Sequence, residues 1–219
     1  MPQGRIRAIL FDFGGVLAEE GFVNGLRRLA REQGLADPDA LPRIALDVVY
    51  ETGYVTGRGT EGAFWQRLRE RTGLRGSDEA LRRPILEGFV VRPGMLALVR
   101  QLRQAGFRVG LLSDQTDWLD RLDERDHFYR EFDDRFVSYH LGLGKRDDRL
   151  YEQVRETLGL PAEAILFIDD NPANVDRARR HGWRAIRFTD EASLRRELVR
   201  RLGLPVQLGP IPRAKGGEA

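Results

Sequence analysis

Ala164-Ile165-Leu166-Phe167-Ile168-Asp169-Asp170-Asn171-Pro172 decides the fold class. Five apolar residues without a break are short for a helix and suit a strand covered on both faces; the run stops on two aspartates. Pro172 then stands where a helix begins, a position at which its missing N–H costs nothing, and Gly182 provides the stop. A buried strand that ends in acids and feeds directly into a helix is half of a parallel α/β unit.

The same texture spreads outward from this stretch. Ile6–Phe11 is a mostly apolar run that ends at Asp12, with Gly14-Gly15 just beyond. Phe107–Leu112 ends at Ser113-Asp114, and Phe136–Tyr139 and Trp183–Phe188 read as further strands. Helical segments are predicted over 94–105, 116–131, 147–158 and 190–201. From about Gly21 to Phe89 the strands disappear, and amphipathic segments 22–34, 39–51, 60–72 and 77–88 take their place. Asp37-Pro38, Thr60-Glu61 and Ser77-Asp78 mark starts there, while Gly34, Gly73 and Gly88 mark stops. The expected architecture is α/β: a doubly wound parallel sheet formed by 1–17 and 91–202, a helical insert at 18–90, and a loosely held tail at 203–219.

Composition excludes several classes of function. The 219 residues are 41% hydrophobic and 32% charged, which suits a soluble globular chain and argues against disorder. The longest apolar runs are five residues, far below the ~20 that span a bilayer. Gly4, Arg5 and Arg7 break the first candidate for a secretory segment, so the expected location is cytoplasmic. There is no cysteine, which removes disulfides and thiolate metal sites. Thirty-six basic residues face 34 acidic ones, and acids interleave with the arginines, as in Arg67-Leu68-Arg69-Glu70-Arg71. That pattern fits solvated helix faces rather than a basic nucleic-acid surface. Arg177–Arg184 is the one dense basic cluster. The sequence carries no sign of oligomeric state.

In open parallel sheets, ligands gather beyond the carboxyl ends of the strands. Asp12, Ser113-Asp114 and Asp169-Asp170 all fall there, with Lys145 a few residues past the fourth strand. Each alone fits a helix cap or turn equally well. Together they place carboxylates at one sheet edge, where mutual repulsion disfavours them unless a cation intervenes; all-oxygen ligands suit Mg²⁺. Lys145 is one of only two lysines, the other being Lys215, in a chain with 34 arginines. Gly-Leu-Gly-Lys at 142–145 is not a phosphate-binding P-loop, because Arg146 holds the Ser/Thr position. His127, His140 and His181 lack metal-ligand spacing.

Asp12-Phe13-Gly14-Gly15-Val16-Leu17, Leu111-Leu112-Ser113-Asp114, Lys145 and Phe167-Ile168-Asp169-Asp170-Asn171 resemble, in order, the four motifs of the haloacid dehalogenase-like (HAD) hydrolase superfamily. The helical insert falls where that family carries a type 1 cap. The chain is most similar to sugar-phosphatase-like members with Asp-x-Gly in the first motif, such as α-glucose-1-phosphate phosphatases. The resemblance implies a Rossmann-like core and a Mg²⁺-dependent phosphatase acting on a small phosphorylated metabolite, a sugar phosphate being one such class. Asp12 would attack phosphorus and form an aspartyl-phosphate. Mg²⁺ would be held by Asp12, the Gly14 carbonyl and Asp170, with Asp169 nearby or in the outer shell. Ser113, Asp114 and Lys145 would bind the phosphoryl group, with Ser113 and Lys145 also catalytic. Tyr54 and Arg58, with Trp65 and Tyr50 behind them, are the insert residues expected near the substrate.

Three positions depart from the family pattern. Gly14 stands where a second aspartate usually protonates the leaving oxygen, a contribution of about 10²–10⁴ in rate. Asp114 replaces a common asparagine, and Arg146 a usual proline. A degenerate phosphate- or protein-binding module is the alternative these departures suggest. A 2-haloacid dehalogenase is disfavoured, because that subgroup usually carries an aromatic residue where Gly14 stands.

Overall fold

The computed structural model describes residues 5–203. Five strands form one wholly parallel sheet: β1 (Ala8–Phe11), β2 (Arg108–Ser113), β3 (Asp134–Val137), β4 (Ile165–Asp169) and β5 (Arg184–Arg187), ordered β3-β2-β1-β4-β5. β1 lies at the centre, with Phe11 level with Leu111 on one side and Ile168 on the other. Asp12, Ser113-Asp114 and Asp169-Asp170 therefore emerge side by side at one edge, where the strand order reverses direction. β1 and β4 are buried at every residue, as their apolar runs require.

Successive residues of each strand serve opposite faces. Ile9, Phe11, Val109, Leu111, Leu166 and Ile168 pack on one face, under α5 (Pro93–Gln104), α6 (Trp118–Asp126) and α10 (Glu191–Leu202). Ala8, Leu10, Leu112, Ile165 and Phe167 pack on the other, under α8 (Asp148–Leu158) and α9 (Pro172–Arg180). Between β1 and β2 lie α1 (Gly21–Glu32), α2 (Ala40–Glu51), α3 (Glu61–Thr72) and α4 (Asp78–Gly88), the helical insert expected from periodicity. Its apolar residues Leu26, Val48, Phe64 and Trp65 join the cluster on the first sheet face, with Trp65 stacked on Trp118 at 5.7 Å. The two connections to the insert run side by side: Glu19 N–H donates to the Val90 carbonyl (2.9 Å) and Arg92 N–H to that of Leu17 (2.8 Å).

Two elements differ from the sequence reading. The helix predicted over 116–131 closes at Asp126, although no glycine or proline stops it. His127 takes the left-handed conformation (φ 54°), and the Asp123 carboxylate accepts the Tyr129 N–H at 2.7 Å, turning the chain. That turn buries Phe128, which stacks on Phe13 at 4.8 Å. The strand predicted at Phe136–Tyr139 begins earlier, because Asp134 is clamped by two Arg108 nitrogens at 2.6 Å each. It also stops earlier: the Ser138 hydroxyl accepts the Gln115 N–H and donates to the Val55 carbonyl, and the chain enters a short helix, α7 (Ser138–Leu141). Of the expected tail, residues 204–219 lie outside the described residues.

Candidate active site

Three strand-end carboxylates and one ammonium group form the centre of the site. Lys145 Nζ lies 2.7 Å from Asp12 Oδ1 and 2.7 Å from Asp169 Oδ2, and its side chain is fully enclosed. Asp12 Oδ1 also accepts the Ser113 hydroxyl (2.7 Å) and the Phe13 N–H (2.7 Å). Three donors thus converge on Oδ1, while no hydrogen bond among the described residues engages Oδ2. Asp169 is completely buried and accepts the Asn171 N–H (2.8 Å) and the Asn174 amide (3.1 Å) besides Lys145. Asp170 completes the group: one oxygen each of Asp12, Asp169 and Asp170 lie within 4.8 Å of one another.

The electrostatics follow from burial and crowding. Burial opposes the charge on Lys145, but Asp12 and Asp169 outweigh it and hold its pKa above the ordinary lysine value. Burial pushes the Asp12 carboxyl well above the usual range, and Lys145 only partly pulls it back. Asp170 is raised by burial and then by its neighbour Asp169. One ammonium cannot neutralise three carboxylates. An additional divalent cation would, and the donor set of hard oxygens fits Mg²⁺ rather than a softer metal. Asp12 and Asp170, with the Gly14 carbonyl between β1 and the insert, are the groups that would hold it. Asp169 belongs to the same group, within reach of the ion or in its outer shell, and also bonds Lys145. Gly15 is required here: its φ is +77°, and a Cβ would lie 2.4 Å from Asp170 Oδ2.

A cavity of about 330 Å³ opens above this centre and is lined by Asp12, Gly14, Ser113, Asp114, Lys145 and Asp170. The insert adds mostly apolar lining, Phe22, Val23, Leu46, Val49 and Val55, together with Glu20 and Tyr50. The structure brings the strand-end residues together as expected but places the insert residues differently. Tyr54 is buried with its hydroxyl on Asp117, Trp65 lies in the aromatic core, and Arg58 bonds Thr56 beside a separate surface groove. None of the three lines the cavity. Tyr50 does, with its hydroxyl on the Asp114 carboxylate.

Glu20 is the one acidic cavity residue that sequence reasoning missed, alongside the apolar lining. A Cβ built on Gly14 would point at its carboxylate, 3.1 Å from Oε2. Glu20 thus reaches the space that a side chain at position 14 would fill. Burial, then Asp170, pushes its pKa up to about 7, against a pull from the Val23 N–H. Nothing in the sequence distinguishes Glu20 from any acid ahead of a helix, and only the turn through Gly14-Gly15 folds it back over the site.

Residues 6–182 match the haloacid dehalogenase-like hydrolase family. The chain belongs to that family. Rat bifunctional epoxide hydrolase 2 (Rattus norvegicus) is 27% identical over 94% of the chain, which spans only 41% of that relative's length. A HAD family enzyme of Bacteroides thetaiotaomicron, crystallised with magnesium and inorganic phosphate, is similar in structure (TM-score 0.64, 21% identity, 86% of this chain and 98% of that one). So is the L-2-haloacid dehalogenase of Xanthobacter autotrophicus (TM-score 0.63, 19% identity, 92% and 85%). Both likenesses are of fold. The chain is thus a HAD-like hydrolase, and no helix among its described residues is long and apolar enough to cross a membrane.

Proposed function

We propose that the chain is a Mg²⁺-dependent phosphatase of small phosphorylated metabolites, working through an aspartyl-phosphate on Asp12. The observation that carries this reading is the grouping of Asp12, Asp169 and Asp170 around the ammonium of Lys145. When bound, Mg²⁺ supplies charge neutralisation between a carboxylate nucleophile and an anionic phosphate. The protein's own groups do the rest. Ser113, Lys145 and the Phe13 N–H hold Asp12 Oδ1, leaving Oδ2 to attack phosphorus as the bond to the leaving oxygen breaks. The Ser113 hydroxyl and the Lys145 ammonium then meet the charge on the phosphoryl oxygens. Glu20 is the acid this cavity offers for the leaving oxygen, in place of the aspartate absent at position 14. Water attack on phosphorus then releases phosphate and restores Asp12.

The insert, residues 18–90, acts in this reading as a cap whose apolar wall faces the leaving group. That wall favours substrates with some hydrocarbon surface over densely hydroxylated sugars, a narrower expectation than sugar phosphates in general. The dehalogenase alternative finds no support at Gly14, and a non-catalytic role is distinguished by the assay below. A panel of phosphate monoesters assayed with Mg²⁺ or EDTA tests the proposal. Turnover should require both Mg²⁺ and Asp12; no turnover of any ester, or turnover undiminished in Asp12→Asn, contradicts it.

A further inference from the structure

Two of the three departures from the family pattern, Asp114 and Arg146, meet on one residue of the insert. Tyr50, in the last turn of α2, donates its hydroxyl to Asp114 Oδ2, while Asp114 Oδ1 accepts the Lys145 N–H at 2.8 Å. The Arg146 guanidinium lies over the Tyr50 ring, 4.0 Å from its centroid. Gly144 lets them close: a Cβ there would stand 3.0 Å from the Tyr50 hydroxyl and 3.3 Å from Asp114 Oδ1. Its φ is not left-handed, so what the position needs is space.

The chemistry accounts for both departures. Tyr50 and the Lys145 backbone each present a donor, and a carboxylate has two oxygens that accept both together. An asparagine could still accept the Lys145 N–H, but it would meet Tyr50 by donating its NH₂ to the hydroxyl oxygen, a neutral contact in place of a hydrogen bond to a charged carboxylate. Arginine at 146 adds a cation on the face of the Tyr50 ring and offsets the charge of Asp114. A proline could do neither.

We propose that Tyr50 is a positioning residue for Lys145: through Asp114 it ties the backbone of the loop carrying the phosphoryl-binding ammonium to the insert, so that phosphate affinity depends on this contact. The proposal rests on the phosphatase reading above. Gly-Leu-Gly-Lys at 142–145 finds its role here as a loop thin enough for a tyrosine to clasp.

The test uses the full chain with Mg²⁺ and two probes, p-nitrophenyl phosphate for turnover and inorganic phosphate for equilibrium binding by calorimetry. Tyr50→Phe is expected to weaken phosphate binding and to lower kcat/KM about tenfold, mostly through KM, the size of one good hydrogen bond to a charged group. Asp114→Ala, which removes both acceptors, should do the same, and the double variant should be no worse than Asp114→Ala alone, because both break one chain of contacts. Gly144→Ala, which wedges the clasp without touching its donors, should follow Tyr50→Phe. Phosphate affinity within twofold of wild type in Tyr50→Phe, or additive losses in the double variant, overturns the proposal. A fall in Tm with phosphate affinity unchanged also overturns it, since that marks a purely structural contact. If p-nitrophenyl phosphate is not hydrolysed by the wild type, the phosphatase reading is in question while the calorimetry still decides the clasp.

Discussion

The two ends of the cavity are built on opposite principles. At the sheet edge, Asp12 and Asp169 are buried ionisable groups, each joined to the buried Lys145 ammonium at 2.7 Å. On the insert side, Phe22, Val23, Leu46 and Val49 present apolar surface. A charged cluster inside a protein holds its geometry only while every member is present, because each removed partner strands a buried charge. An apolar wall tolerates exchange of one side chain for another of similar size. In the phosphatase reading proposed above, the strand ends specify the reaction and the insert the choice of leaving group.

The largest effect should come from breaking the charged end. Asp12→Asn removes the nucleophile while preserving shape, and turnover of any substrate should fall on the order of 10⁴-fold in steady-state assays. Lys145→Met leaves Asp12 and Asp169 buried without their cation. Chemical denaturation near neutral pH without Mg²⁺ should show a loss of about 3 kcal/mol, the scale of a broken buried pair.

Glu20→Gln probes the border between the two regions. The loss in kcat should be about 10²-fold for alkyl phosphates, which need a proton on the leaving oxygen, and much smaller for p-nitrophenyl phosphate, whose leaving group is already acidic. The same residue carries a pH signature in the metal-free chain. Its folded pKa is about 7, above the ordinary 4.5, so the folded state binds more protons in that window. Stability therefore falls as pH rises from 4.5 to about 7. Asp12 and Asp170, also raised, act in the same direction. Thermal melts in EDTA should show a higher Tm near the bottom of that window than near the top. Glu20→Gln should flatten the trend, and Mg²⁺, which favours the ionised carboxylates, should oppose it.

The smallest effect belongs to the wall. Leu46→Gln should change KM a few-fold between alkyl and hydroxylated phosphates and leave their kcat values alike. Equal KM changes for both kinds of ester would separate the insert from substrate choice.

How much of this was legible in the sequence follows the same division. β1 and β4 are central strands buried on both faces, so Ala8–Phe11 and Ile165–Ile168 are unbroken apolar runs with acids at their ends, and pattern alone locates Asp12, Asp169 and Asp170. Lys145 stood out because lysine is scarce here. What pattern could not show depends on contacts between distant segments. Tyr50 and Asp114 are separated by 64 positions. Tyr54 faces Asp117 rather than the cavity because Gly53 and Gly57, both left-handed, wind residues 54–56 into a single tight turn. The early end of α6 is a tertiary effect too, since burying Phe128 on Phe13 requires the chain to turn at His127.

The account stands on Asp12 becoming covalently phosphorylated. Rapid acid quench of the Mg²⁺-loaded chain during turnover of a phosphate monoester, followed by peptide mass mapping, measures this directly. A phosphoryl group on the peptide containing Asp12, absent when EDTA replaces Mg²⁺, is the expected result. Phosphate release with that peptide unmodified at every quench time would contradict it.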